Sequence, residues 1–188
     1  MNHLRRTFVL SLCLSNVVLA GCASGEVTGS PVPPPPGVGS AAIAVEAVRI
    51  YLVDNANLTP SGLSALKFNQ FQIAQRSRQE LERHMQGLAF YLRKTLNPYQ
   101  IEVTRASELR SNLRRASHSV IIEPRALSTS PSGSIVDVDI TIRNQIARTV
   151  MWKGEATLSD GRESTQRVAS GIERVLREQN LLVGANQD

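Results

Sequence analysis

The sequence predicts an α+β fold, a two-layer sandwich in which helices pack on one mixed or antiparallel sheet. Residues 134–143 and 149–158 alternate apolar with polar side chains, which predicts an antiparallel hairpin with one solvated face. Residues 68–96 place most of their apolar side chains at helical spacing, which predicts a long amphipathic helix. In chain order the predicted elements are β-α-β-α-β-β-β-α.

The first half of the domain is predicted to have a strand on each side of the long helix. Residues 42–53 carry apolar side chains at alternate positions toward their end, as a strand does. The long helix ends at Asn97-Pro98, because the residue before a proline disfavours helical backbone. Residues 99–106 then predict a short second strand.

The second half adds one strand before the hairpin and two helices. Residues 107–116 predict a short helix with Ser107 as its N-cap. Residues 119–128 predict a strand, in which Pro124 indicates a sheet edge or a bulge. Residues 164–182 predict a last helix, whose inner stripe is Val168, Ile172, Val175, Leu176 and Gln179.

Residues 1–21 have the composition of a secretory signal peptide. Arg5 and Arg6 form a basic start without an acidic residue. Residues 7–20 are mainly apolar but shorter than the roughly 20 residues of a membrane-spanning helix. The signal peptide is therefore excluded from the predicted fold.

The end of this segment, Leu19-Ala20-Gly21-Cys22, resembles the lipobox of bacterial lipoproteins. The resemblance implies a thioether-linked lipid on Cys22, cleavage before it, and an acyl chain such as palmitate on the new amino terminus. An ordinary signal peptide with a chance cysteine is the alternative. In lipoproteins of this kind the residues after the cysteine direct sorting. Ala23 and Ser24, in place of an aspartate, point to the outer membrane.

The mature chain divides into a tether, one domain and a tail. Residues 22–41 predict a flexible tether, because Pro33–Pro36 favours polyproline II and is flanked by glycine and serine. Such a tether reaches roughly 40–60 Å; a recognition motif for a proline-binding domain is the alternative. Residues 42–183 suffice for a single periplasmic domain, and residues 184–188 predict a disordered tail.

Charge and cysteine content exclude several classes of function. After removal of the signal peptide, 19 basic and 16 acidic residues remain, a net charge of +3. This weakly basic balance, in a secreted chain, argues against a nucleic-acid partner. Cys22 is then the single cysteine, and a lipid would occupy its sulfur. We therefore predict no disulfide, no cysteine-based metal site and no cofactor.

The sequence predicts a protein that is not an enzyme. It contains no metal-binding histidine pair at helical spacing, no serine-nucleophile motif and no phosphate-binding glycine loop. His84 and His118 are predicted to lie at the boundary or surface of the domain. Asp137 and Asp139 share one strand face and offer a catalytic carboxylate pair as an alternative. Strand alternation explains both residues as part of a solvated face.

A basic cluster brackets the predicted short helix and is the candidate binding site. Arg105, Arg110, Arg114 and Arg115 are opposed there by Glu108. Arginines in such a group can pair with phosphate or carboxylate groups of lipid headgroups, lipopolysaccharide or an acidic protein surface. The alternative is a solvated helix face in which arginine provides solubility.

Residues 99–158 resemble small bacterial envelope lipoproteins in the order of their elements and in Trp152-Lys153-Gly154 on the second hairpin strand. Two groups share this pattern: accessory lipoproteins of transport and lipopolysaccharide assembly, and activator lipoproteins of peptidoglycan synthases. The resemblance implies an accessory protein without catalytic activity, anchored to the outer membrane, facing the periplasm and bound to an envelope protein complex. The synthase activators are the alternative, and their function depends on a long tether.

Overall fold

The computed structural model describes residues 25–36, 45, 47–53, 70–105 and 116–182. These residues form six strands and two α-helices, and the helices cover one face of a single mixed sheet. The predicted α+β class is therefore confirmed. The elements are β1 (Val27–Pro31), β2 (Val48–Leu52), α1 (Gln70–Leu96), β3 (Glu102–Arg105), β4 (His118–Ser130), β5 (Gly133–Asn144), β6 (Thr149–Ser159) and α2 (Arg162–Glu178).

The strand order in this sheet is β1-β6-β5-β4-β2-β3. The neighbours from β1 to β4 are antiparallel, whereas β2 is parallel to both β3 and β4. The long helix α1 connects the parallel pair β2 and β3, since parallel neighbours need a crossover connection. Among the described strands, β1 and β3 form the two edges.

The predicted hairpin is confirmed as β5 and β6. Its apolar positions on β5, Val136, Val138, Ile140 and Ile142, are all buried under the helices. The prediction for Pro124 is confirmed as a bulge, because the register between β4 and β5 shifts between Pro124 and Ala126. It is not an edge position, since β4 lies between β5 and β2.

Both helices end close to the predicted residues. α1 ends at Leu96, and Asn97–Tyr99 forms one turn of 3₁₀ helix. α2 ends four residues earlier than predicted, because Asn180 adopts a left-handed conformation. The amide of Leu181 then donates to the Leu176 carbonyl at 2.8 Å, the 6→1 hydrogen bond that ends many helices.

The predicted flexible tether is wrong for the residues that the structure describes in it. Residues 27–31 form β1, which pairs antiparallel with β6 over its whole length. The Pro-rich stretch Pro33–Pro36 follows β1 and lies in the connection to β2, inside the domain. Sequence pattern did not predict this strand because it is short, contains Gly29 and Pro31, and buries the side chain of Val27 alone among its residues.

Several predictions lie outside the described residues. They are the signal peptide at 1–21, Cys22, residues 107–115 of the predicted short helix, and the tail at 184–188. In the part of the chain that is described, neither helix is long and apolar enough to span a membrane.

Candidate functional site

The described part of the chain begins at Gly25, three residues after Cys22. The Gly25 amide donates to the Thr157 carbonyl at 2.9 Å, and the residue is buried. Its φ of 96° favours glycine, and a Cβ there would lie 2.9 Å from the Ser164 carbonyl oxygen. Gly25 is therefore fixed against the end of β6 and the first turn of α2. We call this the Gly25 end of the domain: Gly25, the β4–β5 turn at 131–132, and the Asp160-Gly161 link.

Close contacts with glycines hold β1 on the domain. Gly171 lies inside α2, and a Cβ there would lie 2.6 Å from Val27 Cγ2. The ring of Trp152, on β6, occupies the space that a side chain on Gly29 of β1 or on Gly154 of β6 would need. A glycine inside a helix costs about 1 kcal/mol relative to alanine, so Gly171 is explained by the space that Val27 needs.

This arrangement leaves three residues, 22–24, between the lipobox cysteine and the fixed Gly25. Three residues span at most about 10 Å whatever their conformation, compared with the roughly 40–60 Å predicted for a tether over residues 22–41. If Cys22 carries a lipid, Gly25 and its surroundings are held at the membrane surface.

A polar network, buried at His84 and Ser134 and open to solvent at Arg83 and Asp160, closes the same end of the domain. The Ser134 amide donates to Asp160 Oδ2 at 2.6 Å, and Ser134 Oγ lies 2.9 Å from His84 Nε2. Arg83 Nη2 pairs with Asp160 Oδ1 and, at 2.5 Å, with Glu80 Oε2. The network thus ties α1 to the start of β5 and to the β6–α2 link.

The geometry of this network is not that of a serine–histidine–aspartate triad. In a triad the aspartate orients the ring through Nδ1, while the serine contacts Nε2. Here Asp160 Oδ1 lies 3.5 Å from Nε2, the same nitrogen that Ser134 Oγ contacts. Ser134 is also only 4% exposed. The network therefore connects elements of the fold and does not present an activated hydroxyl to solvent.

Three side chains of the network have the chemistry of metal ligands. The ligand atoms of Glu80, His84 and Asp160 all lie within 4.8 Å of one another. A single guanidinium nitrogen, Arg83 Nη2, already bonds to Glu80, Asp160 and, at 3.1 Å, Ser134 Oγ. The arginine therefore supplies the positive charge that these carboxylates need.

The surroundings shift two pKa values in this network. Burial raises the pKa of Asp160, but the Ser134 amide and the Arg83 guanidinium outweigh it, and the pKa lies below its ordinary value. Burial lowers the pKa of His84, although the Asp160 charge opposes this effect. His84 is therefore a neutral ring beside an ionised carboxylate at neutral pH.

We predict that Asp160→Ala destabilises the domain by about 1.5–3 kcal/mol, the usual loss for a hydrogen bond to a charged group. The substitution leaves the Ser134 amide without its Asp160 acceptor and removes one of the two carboxylates that pair with Arg83. Urea unfolding measures the change. Asp139→Ala is the matched control, because Asp139 is exposed and pairs with Arg125 at 3.5 Å, which is worth about 0–1 kcal/mol. Equal losses in the two variants would contradict a structural role for the network.

Because both histidines are buried, we predict that the free energy of unfolding falls in mild acid. Burial lowers the pKa of both His84 and His118, so the unfolded chain binds protons more readily. The free energy of unfolding should therefore be constant above about pH 7 and fall as the pH drops below the unfolded value of about 6.5. Urea unfolding across this range measures the slope, and His84→Gln should reduce it. An unchanged slope in that variant would show that His84 does not contribute.

The prediction that both histidines lie at the boundary or surface is wrong. His84 is 5% exposed and His118 is 2% exposed. His84 contacts Ser134, and His118 Nδ1 lies 3.0 Å from Ser117 Oγ. These serines satisfy ring nitrogens that would otherwise make burial unfavourable. A lone histidine in the sequence gives no signal of a partner on a distant strand.

The predicted basic cluster is described only at Arg105. Its side chain is 13% exposed and pairs with Glu82 of α1 at 3.6 Å, so it is not a solvated surface arginine. Arg110, Arg114 and Arg115 lie outside the described residues. The binding role of the cluster therefore stays a prediction.

The carboxylate pair on β5 lies on the outer face of the sheet, as predicted. Asp137 accepts a hydrogen bond from Thr157 at 2.8 Å. Asp139 pairs with Arg125, which also pairs with Glu155 at 2.8 Å. These cross-strand partners support the interpretation of the pair as part of a solvated face.

Solved proteins with a related arrangement of helices and strands are similar to this chain at low sequence identity. No family model and no curated protein matches the sequence. Among the solved structures that match at low identity are three from different bacteria. A PelC dodecamer from Paraburkholderia phytofirmans has 15% identity and a TM-score of 0.38, over 81% of this chain and 96% of that chain. A DUF330 protein from Xanthomonas campestris has 13% identity and a TM-score of 0.35, over 73% and 81%.

The third match is lipoprotein GNA1162 from Neisseria meningitidis, with 12% identity and a TM-score of 0.31 over 71% of this chain and 97% of that chain. One of the three is thus a lipoprotein, the class that the sequence resembles. Matches at this level of identity and TM-score do not identify a function.

Proposed function

We propose that this chain is a lipid-anchored accessory protein without catalytic activity that faces the periplasm from the outer membrane and assists an envelope transport or outer-membrane assembly complex. The observation that carries the proposal is the fixed position of Gly25 on the domain, three residues after the lipobox cysteine Cys22. A domain attached in this way works at the membrane surface. A complex embedded in that membrane is a partner within its reach.

The alternative, an activator of a peptidoglycan synthase, has less support. Such a protein must reach across the periplasm, and the Pro-rich stretch is the segment that the sequence predicts to provide that reach. That stretch instead connects β1 to β2. At the start of the connection, Pro31 of β1 pairs with Trp152 near the start of β6. At its end, Val48 of β2 pairs with His118 of β4, which is opposite Asn144 at the end of β5. Both ends of the connection therefore lie at the end of the domain opposite Gly25.

The outer face of the sheet is the surface that we propose for the protein partner. The two helices cover the other face, so the outer face carries side chains that are free to contact a second protein. Arg125, Asp139, Lys153 and Glu155 lie there, with charges of both signs. A partner for this face is expected to be polar and charged in complementary positions.

The test of the anchor is mass spectrometry of the mature chain together with membrane fractionation. We expect a lipid on Cys22, recovery with the outer membrane, and loss of membrane association in Cys22→Ala. In-cell crosslinking of the lipidated chain then identifies the partner. Recovery of a transporter or barrel-assembly component supports the proposal, and recovery of a penicillin-binding synthase supports the alternative. A mature chain without lipid on Cys22 would overturn both.

The length of the tether separates the two functions directly. A flexible Gly/Ser segment inserted between Ser24 and Gly25 releases the domain from the membrane surface. An accessory protein of an outer-membrane complex should lose crosslinks to its partner, whereas a synthase activator should keep or gain them. The control is the same segment added after Asp188, which leaves the attachment of the domain unchanged.

A further inference from the structure

We infer that the Gly25 end of the domain rests on the lipid headgroups, with Arg76, Arg78 and Arg162 facing anionic phosphates. This inference rests on the lipid anchor of the proposed function. It adds which surface meets the membrane, and the chemistry of the contact.

The path of the chain selects this end. Cys22 would lie at the membrane, and residues 22–24 reach about 10 Å. The headgroup layer on one side of a bilayer is about 5–8 Å thick. Gly25 packs against Ser164 in the first turn of α2, two residues from Arg162. The start of α2 therefore cannot move far from the headgroups while the anchor is inserted.

The ion pairs at this end leave arginines available for phosphate. Arg83 is neutralised by Glu80 and Asp160, and Arg167 pairs with Glu163 at 3.4 Å. The remaining arginines are exposed and have no ion pair among the described residues: Arg76, Arg78 and Arg162.

Arg76 and Asp160 both line a cavity of about 490 Å³. The first turns of α1 therefore lie beside the β6–α2 link. Each arginine close to an anionic membrane contributes about 1 kcal/mol of attraction. Glu26 is an exposed acid at this end and partly offsets that attraction.

An apolar side chain extends the same surface. Ile135 follows Ser134 at the start of β5 and is 44% exposed on the outer face. An exposed aliphatic group on a membrane-facing end gains free energy by entering the boundary between headgroups and acyl chains.

Charge alone does not distinguish the two ends of the domain. Lys94, Arg143 and Arg148 are exposed toward the opposite end and also have no ion pair among the described residues. The position of the anchor makes the distinction. This second set of cations is therefore a matched control for the first.

The test measures which end of the domain is near the membrane. The full chain is expressed with its signal peptide, purified in lipidated form and reconstituted in vesicles of phosphatidylethanolamine and phosphatidylglycerol. A spin label is placed at Ser132→Cys in the β4–β5 turn or at Ile146→Cys in the β5–β6 turn. The lipid on Cys22 leaves the new cysteine as the one free thiol. We expect the label at 132 to be several-fold less accessible to a water-soluble relaxation agent than the label at 146.

Charge reversal then tests the arginines. Arg76→Glu, Arg78→Glu and Arg162→Glu together should weaken the protection of the label at 132, while the protein still floats with the vesicles. Lys94→Glu, Arg143→Glu and Arg148→Glu together should leave the protection intact. Equal accessibility at 132 and 146, or protection that the first set of substitutions leaves undiminished, would overturn the inference. A chain that fails to float with the vesicles would instead overturn the lipid anchor itself.

Discussion

Trp152→Ala is expected to lower the free energy of unfolding by about 3–5 kcal/mol, the usual cost of removing a buried tryptophan. Trp152 is 4% exposed, and its ring packs over Gly29 of β1 and Gly154 of β6. The substitution therefore empties the space between two strands and loosens the edge strand that carries the chain toward Cys22. Urea or thermal unfolding of the purified domain measures the loss.

Phe90→Ala is the aromatic control for this prediction. Phe90 lies on α1 and is 62% exposed, so its removal should change the free energy of unfolding by about 0.5 kcal/mol or less. If Trp152→Ala were no more destabilising than Phe90→Ala, the packing of Trp152 on the two glycines would not hold β1.

Gly171→Ala is expected to destabilise the attachment of β1 by about 1–3 kcal/mol, the usual cost of overpacking. The new Cβ would lie 2.6 Å from Val27 Cγ2 and 2.9 Å from Val27 Cβ, so Val27 must move away from α2. Since Val27 is the buried side chain of β1, its displacement should free the strand. Limited proteolysis near residues 25–31, together with unfolding, measures the effect.

Gly87→Ala is the matched substitution in the other helix. A Cβ at Gly87 would meet Thr165 Cγ2 at 3.7 Å, an ordinary contact. Alanine also favours helix over glycine, so this variant should be stabilised by up to about 1 kcal/mol. Stabilisation of both variants, without new cleavage near β1, would show that the space over Gly171 is not needed by Val27.

The elements with regular patterns were predictable from the sequence. The alternation in β5 and β6 indicates which side chains are buried, because a strand under two helices has one dry face. The spacing from Leu81 to Leu96 in α1 indicates its buried stripe in the same way. Pro98 and Pro124 mark a helix end and a bulge, because proline removes a backbone donor.

The candidate site was not predictable, because it depends on contacts between distant parts of the chain. β1 lacks alternation, and its position is explained by space over Gly171 and Gly154, which are far from it in sequence. His84 and Ser134 are 50 residues apart, and neither has a local pattern that indicates the other. The prediction of a flexible tether over residues 22–41 was wrong for the same reason. Composition alone does not distinguish a Pro-rich tether from a Pro-rich connection between two strands.

We expect Gly25, which is fixed on the domain three residues after Cys22, to be held directly against the membrane by the lipid on Cys22. Neutron reflectometry of the lipidated chain on a supported bilayer tests it most directly, because the method resolves the distance between the protein layer and the headgroups. We predict that the protein layer begins at the headgroups, with no layer of water between them. A hydrated gap of roughly 40–60 Å, the reach of a flexible tether over residues 22–41, would contradict the account.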